Sequence, residues 1–217
     1  MTKEQVISAI ARTGIVPVVR AASPDEARRA IDALCEGGID TVEVTLTVPG
    51  AFELIADLAA AAADVLIGAG TVLTADDAHR SIDAGARFVV SPATSFEVIE
   101  YCRARSVVVI PGTLTPTEIV TALAAGADAV KVFPVGAMGG ADYIRSLRAP
   151  LPDVKVMATG GVTVETAGEY LRAGAFAVGL GSDLVDLSAI RSGSPQKLTE
   201  TARRALGLAA EARSQNV

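Results

Sequence analysis

Short runs of β-branched and aliphatic residues alternate with alanine-rich segments of helical periodicity along the whole chain. Eight such runs, each followed by a helical or turn-initiated segment, predict parallel strands closed into a single (β/α)8 (TIM) barrel, an α/β fold. The amphipathic segment 1–14 precedes the first run and predicts an extra N-terminal helix. The predicted strands are residues 15–20, 41–46, 65–69, 87–91, 107–111, 129–133, 154–159 and 176–180.

Capping residues agree with these boundaries. Ser23, Thr74, Thr115 and Thr163 each precede a helical segment as candidate N-caps. Glycines follow several of the predicted helices, where they can adopt the left-handed conformation that ends a helix. We read residues 191–196 as a loop and residues 197–213 as a closing helix.

No linker or low-complexity segment interrupts this pattern, so we expect one barrel domain over residues 1–217. The same alternation would fit a doubly wound open sheet. Two observations count against that alternative: no GxGxxG follows the first strand, and polar residues occupy strand positions that only a barrel interior would accommodate.

Two charged residues lie in the middle of predicted strands. In the second strand, Glu43 alternates with Val42 and Val44, and in the sixth strand Lys131 alternates with Val130 and Val132. Because successive side chains of a strand point to opposite faces, the valines would meet the helices and the charged pair would face the interior. An unpaired buried charge costs several kcal/mol, so these residues need either each other or a chemical task.

Composition narrows the classes of function. Half of the 217 residues are hydrophobic, and the formal net charge of −6 argues against a general nucleic-acid binder. No run is long enough to span a membrane, and the N-terminus lacks the apolar core of a signal peptide, so a cytoplasmic protein is expected. Cys35 and Cys102 have no metal-type spacing and are expected to be reduced thiols in helices.

The only histidine, His79, is expected on a helix surface, which rules out a histidine-rich zinc site. The sequence is compatible with a Mg²⁺ ion bound by carboxylates, but we assign no metal and no cofactor.

Lys131 has two interpretations. One is a structural ion pair with Glu43. The other is an amine nucleophile, because burial or a neighbouring cation favours the neutral form of a lysine, which can attack a ketone. Arg20 ends the first strand on the same face as Val18 and is either such a cation or an anion clamp, the role we favour. Glu43 would then move protons during imine formation and carbon–carbon cleavage.

Glycine-rich loops follow the last two strands, with Thr159-Gly160-Gly161 after the seventh and Gly179-Leu180-Gly181-Ser182 at the eighth. In such barrels these loops often form a phosphate site from backbone N–H groups. Turns that only join strand to helix are the alternative. Thr71, which we expect on the same interior face as Ala69, and the Ser91-Pro92 pair end two other strands at the same rim.

Together these segments resemble the 2-dehydro-3-deoxy-phosphogluconate / 4-hydroxy-2-oxoglutarate (KDPG/KHG) aldolases, in order, from about residue 15 to residue 183. The segments that carry the resemblance are Glu43-Val44-Thr45-Leu46, Gly68-Ala69-Gly70-Thr71-Val72, Ser91-Pro92, Lys131-Val132-Phe133-Pro134, Thr159-Gly160-Gly161-Val162 and Gly179-Leu180-Gly181-Ser182.

The resemblance implies a Schiff-base lysine at Lys131, an acid/base at Glu43, and a homotrimer. It also implies that Thr71, Pro92, Phe133 and Thr159 line the pyruvate end, and that Gly160, Gly161, Gly181 and Ser182 hold the phosphate. Two departures touch the expected substrate rim. Many members have Arg where this chain has Thr47, a charge that Arg20 would replace, and a small residue where it has Val135.

The implied reaction is cleavage of 2-dehydro-3-deoxy-6-phosphogluconate to pyruvate and D-glyceraldehyde 3-phosphate. Alternatives within the family are the phosphogalactonate epimer and 4-hydroxy-2-oxoglutarate. A phosphate-binding-barrel decarboxylase or epimerase would carry an Asp-x-Lys-x-x-Asp set, which this sequence lacks. A non-catalytic binding barrel would have no need of an interior Glu–Lys pair. We expect a small phosphorylated keto acid as the only ligand, with neither nucleic acid nor membrane as partner.

Overall fold

Strands and helices alternate along the chain in the computed structural model, which describes residues 1–61 and 64–214. The strands are β1 (Ile15–Val19), β2 (Thr41–Thr45), β3 (Leu66–Gly70), β4 (Phe88–Val90), β5 (Val108–Ile110), β6 (Gly112–Thr113), β7 (Val130–Val132), β8 (Val156–Thr159) and β9 (Ala177–Leu180). The helices are α1 (Lys3–Thr13), α2 (Pro24–Glu36), α3 (Ala51–Ala61), α4 (Ala75–Asp83), α5 (Phe96–Ala104), α6 (Pro116–Ala124), α7 (Ala141–Arg148), α8 (Ala167–Arg172), α9 (Leu187–Arg191) and α10 (Gln196–Ser214), with a 3₁₀ turn at Gly136–Met138.

The described strands form one parallel sheet in the order β5-β4-β3-β2-β1-β9-β8-β7-β6. β5 and β6 are two pieces of a single strand, since β5 pairs with β4, β6 pairs with β7, and only Pro111 separates them. Proline has no N–H to give to a sheet, although its carbonyl still accepts the Lys131 N–H at 2.8 Å. The ring is thus the predicted eight-stranded barrel, and the doubly wound alternative is wrong.

Helix α1 closes the amino-terminal end of the barrel, as the extra N-terminal helix predicted. Its apolar side, including Val6 and Ile10, packs with interior residues such as Phe88 and Met157. Lys3 fastens the first turn to the barrel through a salt bridge of 2.9 Å to Asp128. The open end of the barrel is therefore the carboxyl end of the strands, where catalytic sites of such barrels lie.

The alternation of strand residues is mostly as predicted. Val42, Val44, Val130 and Val132 belong to the apolar layer between sheet and helices, which leaves Glu43 and Lys131 for the interior. The prediction for Ala69 is wrong, because its side chain packs in the same outer layer.

In β3 the interior positions are instead those of Leu66, Gly68 and Gly70. Leu66 packs in the interior apolar cluster, and a Cβ on Gly68 or Gly70 would meet Phe88 or Glu43.

Helix boundaries differ from prediction near the C-terminus. Thr163 does not cap a helix directly, because it forms a hydrogen-bonded turn with Thr166 and α8 begins at Ala167. The loop predicted to begin at Arg191 starts one residue later, since Arg191 is the last residue of α9, a short helix that the pattern did not predict.

The other caps and isolated residues behave as expected. Ser23, Thr74 and Thr115 all accept a backbone N–H of the first helical turn. Cys35 and Cys102 are free thiols in α2 and α5. His79 lies exposed on α4. Within the described residues, no helix is both long and apolar enough to cross a membrane.

Candidate active site

Lys131 and Glu43 meet inside the barrel. The Lys131 Nζ atom lies 3.8 Å from Glu43 Oε1, with the carboxylate side chain 0% exposed and the lysine side chain 7% exposed. This separation is too long for a strong hydrogen bond. Both carboxylate oxygens of Glu43 lack a hydrogen-bond partner among the described residues. In a structural ion pair those oxygens would be expected to be hydrogen-bonded. The geometry therefore favours a functional pair, whose free carboxylate oxygens can contact a ligand.

Gly70, for which the sequence pattern predicts no role, makes room for the Glu43 carboxylate. A Cβ atom at Gly70 would lie 2.0 Å from Glu43 Oε1, far closer than van der Waals contact allows. Gly68 does the same for the Phe88 ring, at 2.3 Å. Two glycines at alternate strand positions signal close approach of other side chains, and that signal was available in the sequence.

Two predicted pyruvate-end residues, Phe133 and Pro92, lie next to Lys131 or to its partner on the neighbouring strand. The Phe133 ring centroid lies 5.5 Å from Lys131 Nζ, within the range of a cation–π contact. Pro92 packs against Gly112, which is the register partner of Lys131 in the neighbouring strand. A Cβ on Gly160 would lie 2.9 Å from the Phe133 ring, so the loop after β8 closes against the same aromatic side chain.

Two buried hydroxyl groups, like the Glu43 carboxylate, have no hydrogen-bond partner among the described residues. The Oγ1 atom of Thr159 and the Oγ atom of Ser91 are buried without a partner in the described part of the chain. Both residues stand at the carboxyl ends of their strands, β8 and β4. Buried polar atoms are normally hydrogen-bonded, so these two hydroxyl groups are available to a polar ligand at this end of the barrel. The sequence pattern predicts Ser91 at the rim but gives it no binding role, and only its burial in the structure indicates one.

Thr71 follows Gly70 directly and has a backbone φ of 59°, in the left-handed region that residues other than glycine rarely adopt. Such conformations concentrate at functional sites because the surrounding structure must hold them. Thr71 and Lys131, both within the described residues, form no hydrogen bond with each other. The Thr47 hydroxyl is 2.7 Å from that of Thr45, which donates to the Val19 carbonyl, so Thr47 faces the rim without joining the Lys131 pair.

The glycine-rich loops lie side by side because β8 pairs with β9. Gly160 and Gly161 have φ values of 85° and 83°, which other residues adopt only with strain. A Cβ at Gly181 would meet nothing within 4 Å, so this loop borders open space.

Arg20, Gly181 and Ser182 line a cleft of about 320 Å³. Arg191 also lines it, although the sequence pattern predicts no role for that residue. The structure thus brings the expected anion clamp to the expected loop.

The Val135 side chain and the larger cavity of the barrel both lie away from the candidate site. Val135 is fully buried in the outer apolar layer, so the expectation that it touches the substrate rim is wrong. A larger cavity, of about 860 Å³, lies at the opposite, amino-terminal end beside α1 and Asp40. It holds none of the candidate residues, and the chemistry of parallel barrels belongs to the other end.

Comparisons with known proteins agree with this geometry. The profile of the family described as KDPG and KHG aldolase matches residues 6–201. The chain is 35% identical to a 2-dehydro-3-deoxy-phosphogluconate aldolase of Treponema pallidum over 93% of this chain and 96% of that protein. It is 40% identical to a 2-dehydro-3-deoxy-6-phosphogalactonate aldolase of Escherichia coli over 78% of this chain and 83% of that protein.

A solved structure extends the comparison. The KDPG aldolase of Legionella pneumophila, with pyruvate captured as a covalent carbinolamine, superposes with a TM-score of 0.85 at 32% identity, covering 92% of this chain and 97% of that one. Taken with the match over most of the chain, these findings show that the protein belongs to the KDPG and KHG aldolase family.

Proposed function

We propose that the protein is a lysine-dependent class I aldolase that cleaves 2-dehydro-3-deoxy-6-phosphogluconate to pyruvate and D-glyceraldehyde 3-phosphate. The observation that carries this proposal is the buried pair of Lys131 and Glu43, 3.8 Å apart at the open end of the barrel. The pyruvate carbinolamine captured in the Legionella pneumophila relative supports an amine nucleophile acting on a keto acid.

In this mechanism the neutral amine of Lys131 attacks the C2 ketone, and loss of water gives a protonated imine. The imine draws electrons from the C3–C4 bond, which breaks and leaves an enamine on C2 and C3. The enamine is then protonated at C3, and water hydrolyses the resulting imine to pyruvate and free Lys131.

Glu43 supplies the proton transfers. Its two carboxylate oxygens have no hydrogen-bond partner among the described residues, and Oε1 lies 3.8 Å from Lys131 Nζ, so the carboxylate is free to accept a proton. As the C3–C4 bond breaks, the proton of the C4 hydroxyl moves to Glu43, directly or through a water, and the aldehyde leaves. The same group can return a proton to C3 of the enamine.

Binding would be divided between two ends of the site. Thr71, Pro92, Phe133 and Thr159 would hold the pyruvate portion, and the orphan hydroxyl of Thr159 is suited to a keto-acid oxygen. A second group of residues would contact the substrate at the rim and bind its phosphate. These residues are Arg20, Thr47, Gly160, Gly161, Gly181 and Ser182. Binding energy at the phosphate would then help position the reacting bond.

The phosphogalactonate epimer is the second candidate substrate, favoured by the 40% identity to the Escherichia coli enzyme that carries that name. The two compounds share the keto acid and the phosphate, so the lysine chemistry serves both. The comparison of kcat/KM on the two epimers separates these candidates.

We also propose that one domain over residues 1–217 acts as a homotrimer in the cytoplasm. Leu73, Phe96 and Val120 are all more than half exposed near α4, α5 and α6, and large exposed apolar side chains are typical of subunit contacts. Light scattering of the purified protein tests the trimer. A monomeric mass would contradict the trimer and would leave the proposed mechanism at Lys131 unaffected.

Trapping with borohydride tests the reaction. The protein is incubated with pyruvate and sodium borohydride, digested and analysed by mass spectrometry, with Lys131→Ala as the control. We expect a reduced pyruvate adduct on Lys131 and none in the variant. A folded protein without any adduct would overturn the Schiff-base mechanism.

A further inference from the structure

A cleft opens between the end of β1 and the segment after β9. Its inner wall includes Val18, the register partner of Glu43, and its outer wall includes Arg20, Ser182 and Arg191. Its volume of about 320 Å³ is close to the lower limit of about 300 Å³ for small-molecule sites. Because Val18 stands beside Glu43 on the neighbouring strand, the cleft is close enough to the catalytic pair to be considered for the distal end of the substrate.

Arg191 is fixed at the mouth of this cleft by a defined contact. Its Nη1 atom lies 2.8 Å from Glu26 Oε1. Glu26 is itself held, because its other oxygen accepts the Ala22 N–H at 2.9 Å and its side chain is only 10% exposed. Arg191 is 63% exposed and has further N–H donors beyond the one that Glu26 accepts. A side chain ordered before binding loses less conformational entropy when a ligand arrives.

The charges along the cleft favour an anion. Arg20 has no ion-pair partner within residues 1–61 and 64–214. Asp186 also lines the cleft, but its carboxylate accepts hydrogen bonds from the backbone N–H and hydroxyl of Ser188, which engage it at the start of α9. Of the two guanidinium groups, Arg191 is paired with Glu26 and Arg20 is unpaired, while Asp186 is engaged by Ser188. The unpaired charge of Arg20 and the remaining donors of Arg191 are therefore available to an anion beside Gly181.

We propose that Arg191 is a specificity-determining residue that, together with Arg20, recognises the phosphate of the substrate. This inference rests on the proposed aldolase function and extends it, because it names the side chain that separates phosphorylated from unphosphorylated keto acids. Arginine donors in a fixed planar array suit the oxygens of a phosphate dianion. Truncation of Arg191 should impair binding of the phosphorylated substrate and leave the chemistry at Lys131 intact.

The control residue lies on the same helix pair. Arg29 donates from Nη2 to the carbonyl of Ile190 at 3.0 Å, so it also holds α9 to α2, yet it does not line the cleft. Arg29→Ala removes an anchor of α9 without removing a cleft charge. Arg191→Ala removes both, and Arg191→Lys keeps the charge while losing the planar array.

Steady-state kinetics of the three variants test the proposal, on 2-dehydro-3-deoxy-6-phosphogluconate and on unphosphorylated 4-hydroxy-2-oxoglutarate. For Arg191→Ala we expect KM for the phosphorylated substrate to rise about tenfold and to depend less on ionic strength. Its kcat/KM for the unphosphorylated substrate should stay within about twofold of the parent. Arg191→Lys should recover part of the loss, and Arg29→Ala should match the parent. Equal losses on both substrates, equal losses in Arg29→Ala, or no change in KM would overturn the proposal.

A titration with inorganic phosphate gives a readout that does not need the reaction. Calorimetry should show weaker phosphate binding to Arg191→Ala than to the parent and to Arg29→Ala. Unchanged phosphate affinity would contradict the proposal even in an active enzyme. Failure of the aldolase assignment would appear separately, as a lack of borohydride trapping by pyruvate in the parent protein.

Discussion

Gly70 lies directly beside the carboxylate of Glu43, in the space that a side chain at position 70 would occupy. The two residues stand on the neighbouring strands β2 and β3, and both face the barrel interior. The absence of a Cβ atom at Gly70 therefore allows Glu43 to reach towards Lys131. The position of the acid/base group depends on a residue that carries no functional group of its own.

Gly70→Ala should displace the Glu43 carboxylate and reduce kcat by about a hundredfold, because misplacement of a catalytic group by about 1 Å has effects of that size. The added Cβ would lie 2.0 Å from Glu43 Oε1, so the glutamate must move. Kinetics and circular dichroism of the variant test this expectation. A variant with full activity would show that Glu43 is not required at its present position.

Gly207→Ala is the matched control. Gly207 lies within α10, and a Cβ there would meet nothing within 4 Å. Alanine is favoured over glycine inside a helix by up to about 1 kcal/mol. We expect this variant to be fully active and slightly more stable to chemical denaturation than the parent.

Glu43→Gln should keep the shape of the side chain and remove its ability to accept a proton. General acid–base groups contribute about 10²- to 10⁴-fold, so kcat should fall within that range. Lys131 should still form a trappable adduct with pyruvate, since the nucleophile is unchanged. Comparing kcat with the yield of borohydride adduct separates the two roles. Unreduced kcat would contradict the assignment of Glu43.

Thr71→Gly tests the residue with the left-handed backbone at the rim. Glycine relieves the strain at φ 59° but increases the freedom of the unfolded chain, so stability should change by no more than about 1 kcal/mol. Activity should fall, because the side chain that would contact the keto acid is lost. Denaturation curves and KM are the measurements.

Ser106→Gly is the control for Thr71. Ser106 has a similar φ of 55° but lies before β5, at the opposite end of the barrel. Its stability change should resemble that of Thr71→Gly, with kcat and KM unaltered. Equal loss of activity in both variants would indicate a general effect of backbone flexibility.

Asp40 should make folding stability depend on pH. Burial acts to raise the pKa of its carboxyl group, but hydrogen bonds from Thr13, Arg12 and Thr41 outweigh burial and lower the pKa. A carboxyl group with a lowered folded pKa stabilises the fold fully above its unfolded pKa of about 3.9. That contribution is lost as the pH falls through the folded pKa. The parent should therefore lose this part of its stability only in acid.

Asp40→Asn should lower the free energy of unfolding at neutral pH by about 1–2 kcal/mol, the scale of charge-assisted hydrogen bonds that are partly screened. The difference from the parent should shrink as the pH is lowered through the acid range. Asp57→Asn serves as the comparison, because Asp57 is 73% exposed and pairs with Arg28 at 3.4 Å. Its effect should stay below about 1 kcal/mol. A difference for Asp40→Asn that is constant with pH would contradict the role of its ionised form.

The sequence by itself determined the class of fold and the two residues at its centre. Each strand carries its own alternation, and a single extended backbone obliges Glu43 and Lys131 to face away from the valines beside them. The capping residues Ser23, Thr74 and Thr115 act within one helical turn, so local pattern was sufficient for them too.

Only the tertiary structure decided which residues meet. The 3.8 Å distance between Lys131 and Glu43 depends on strand order and stagger around the closed ring, which no single strand encodes. Gly70 matters because the Glu43 side chain on the neighbouring strand occupies the space beside it. Arg191 matters because it lines the same cleft as Arg20. Helix α9, at five residues, is too short for a periodic signal, and Pro111 divides one strand into two. The contacts of Lys131, Gly70 and Arg191 join segments that are distant in the sequence, so only the closed barrel reveals them.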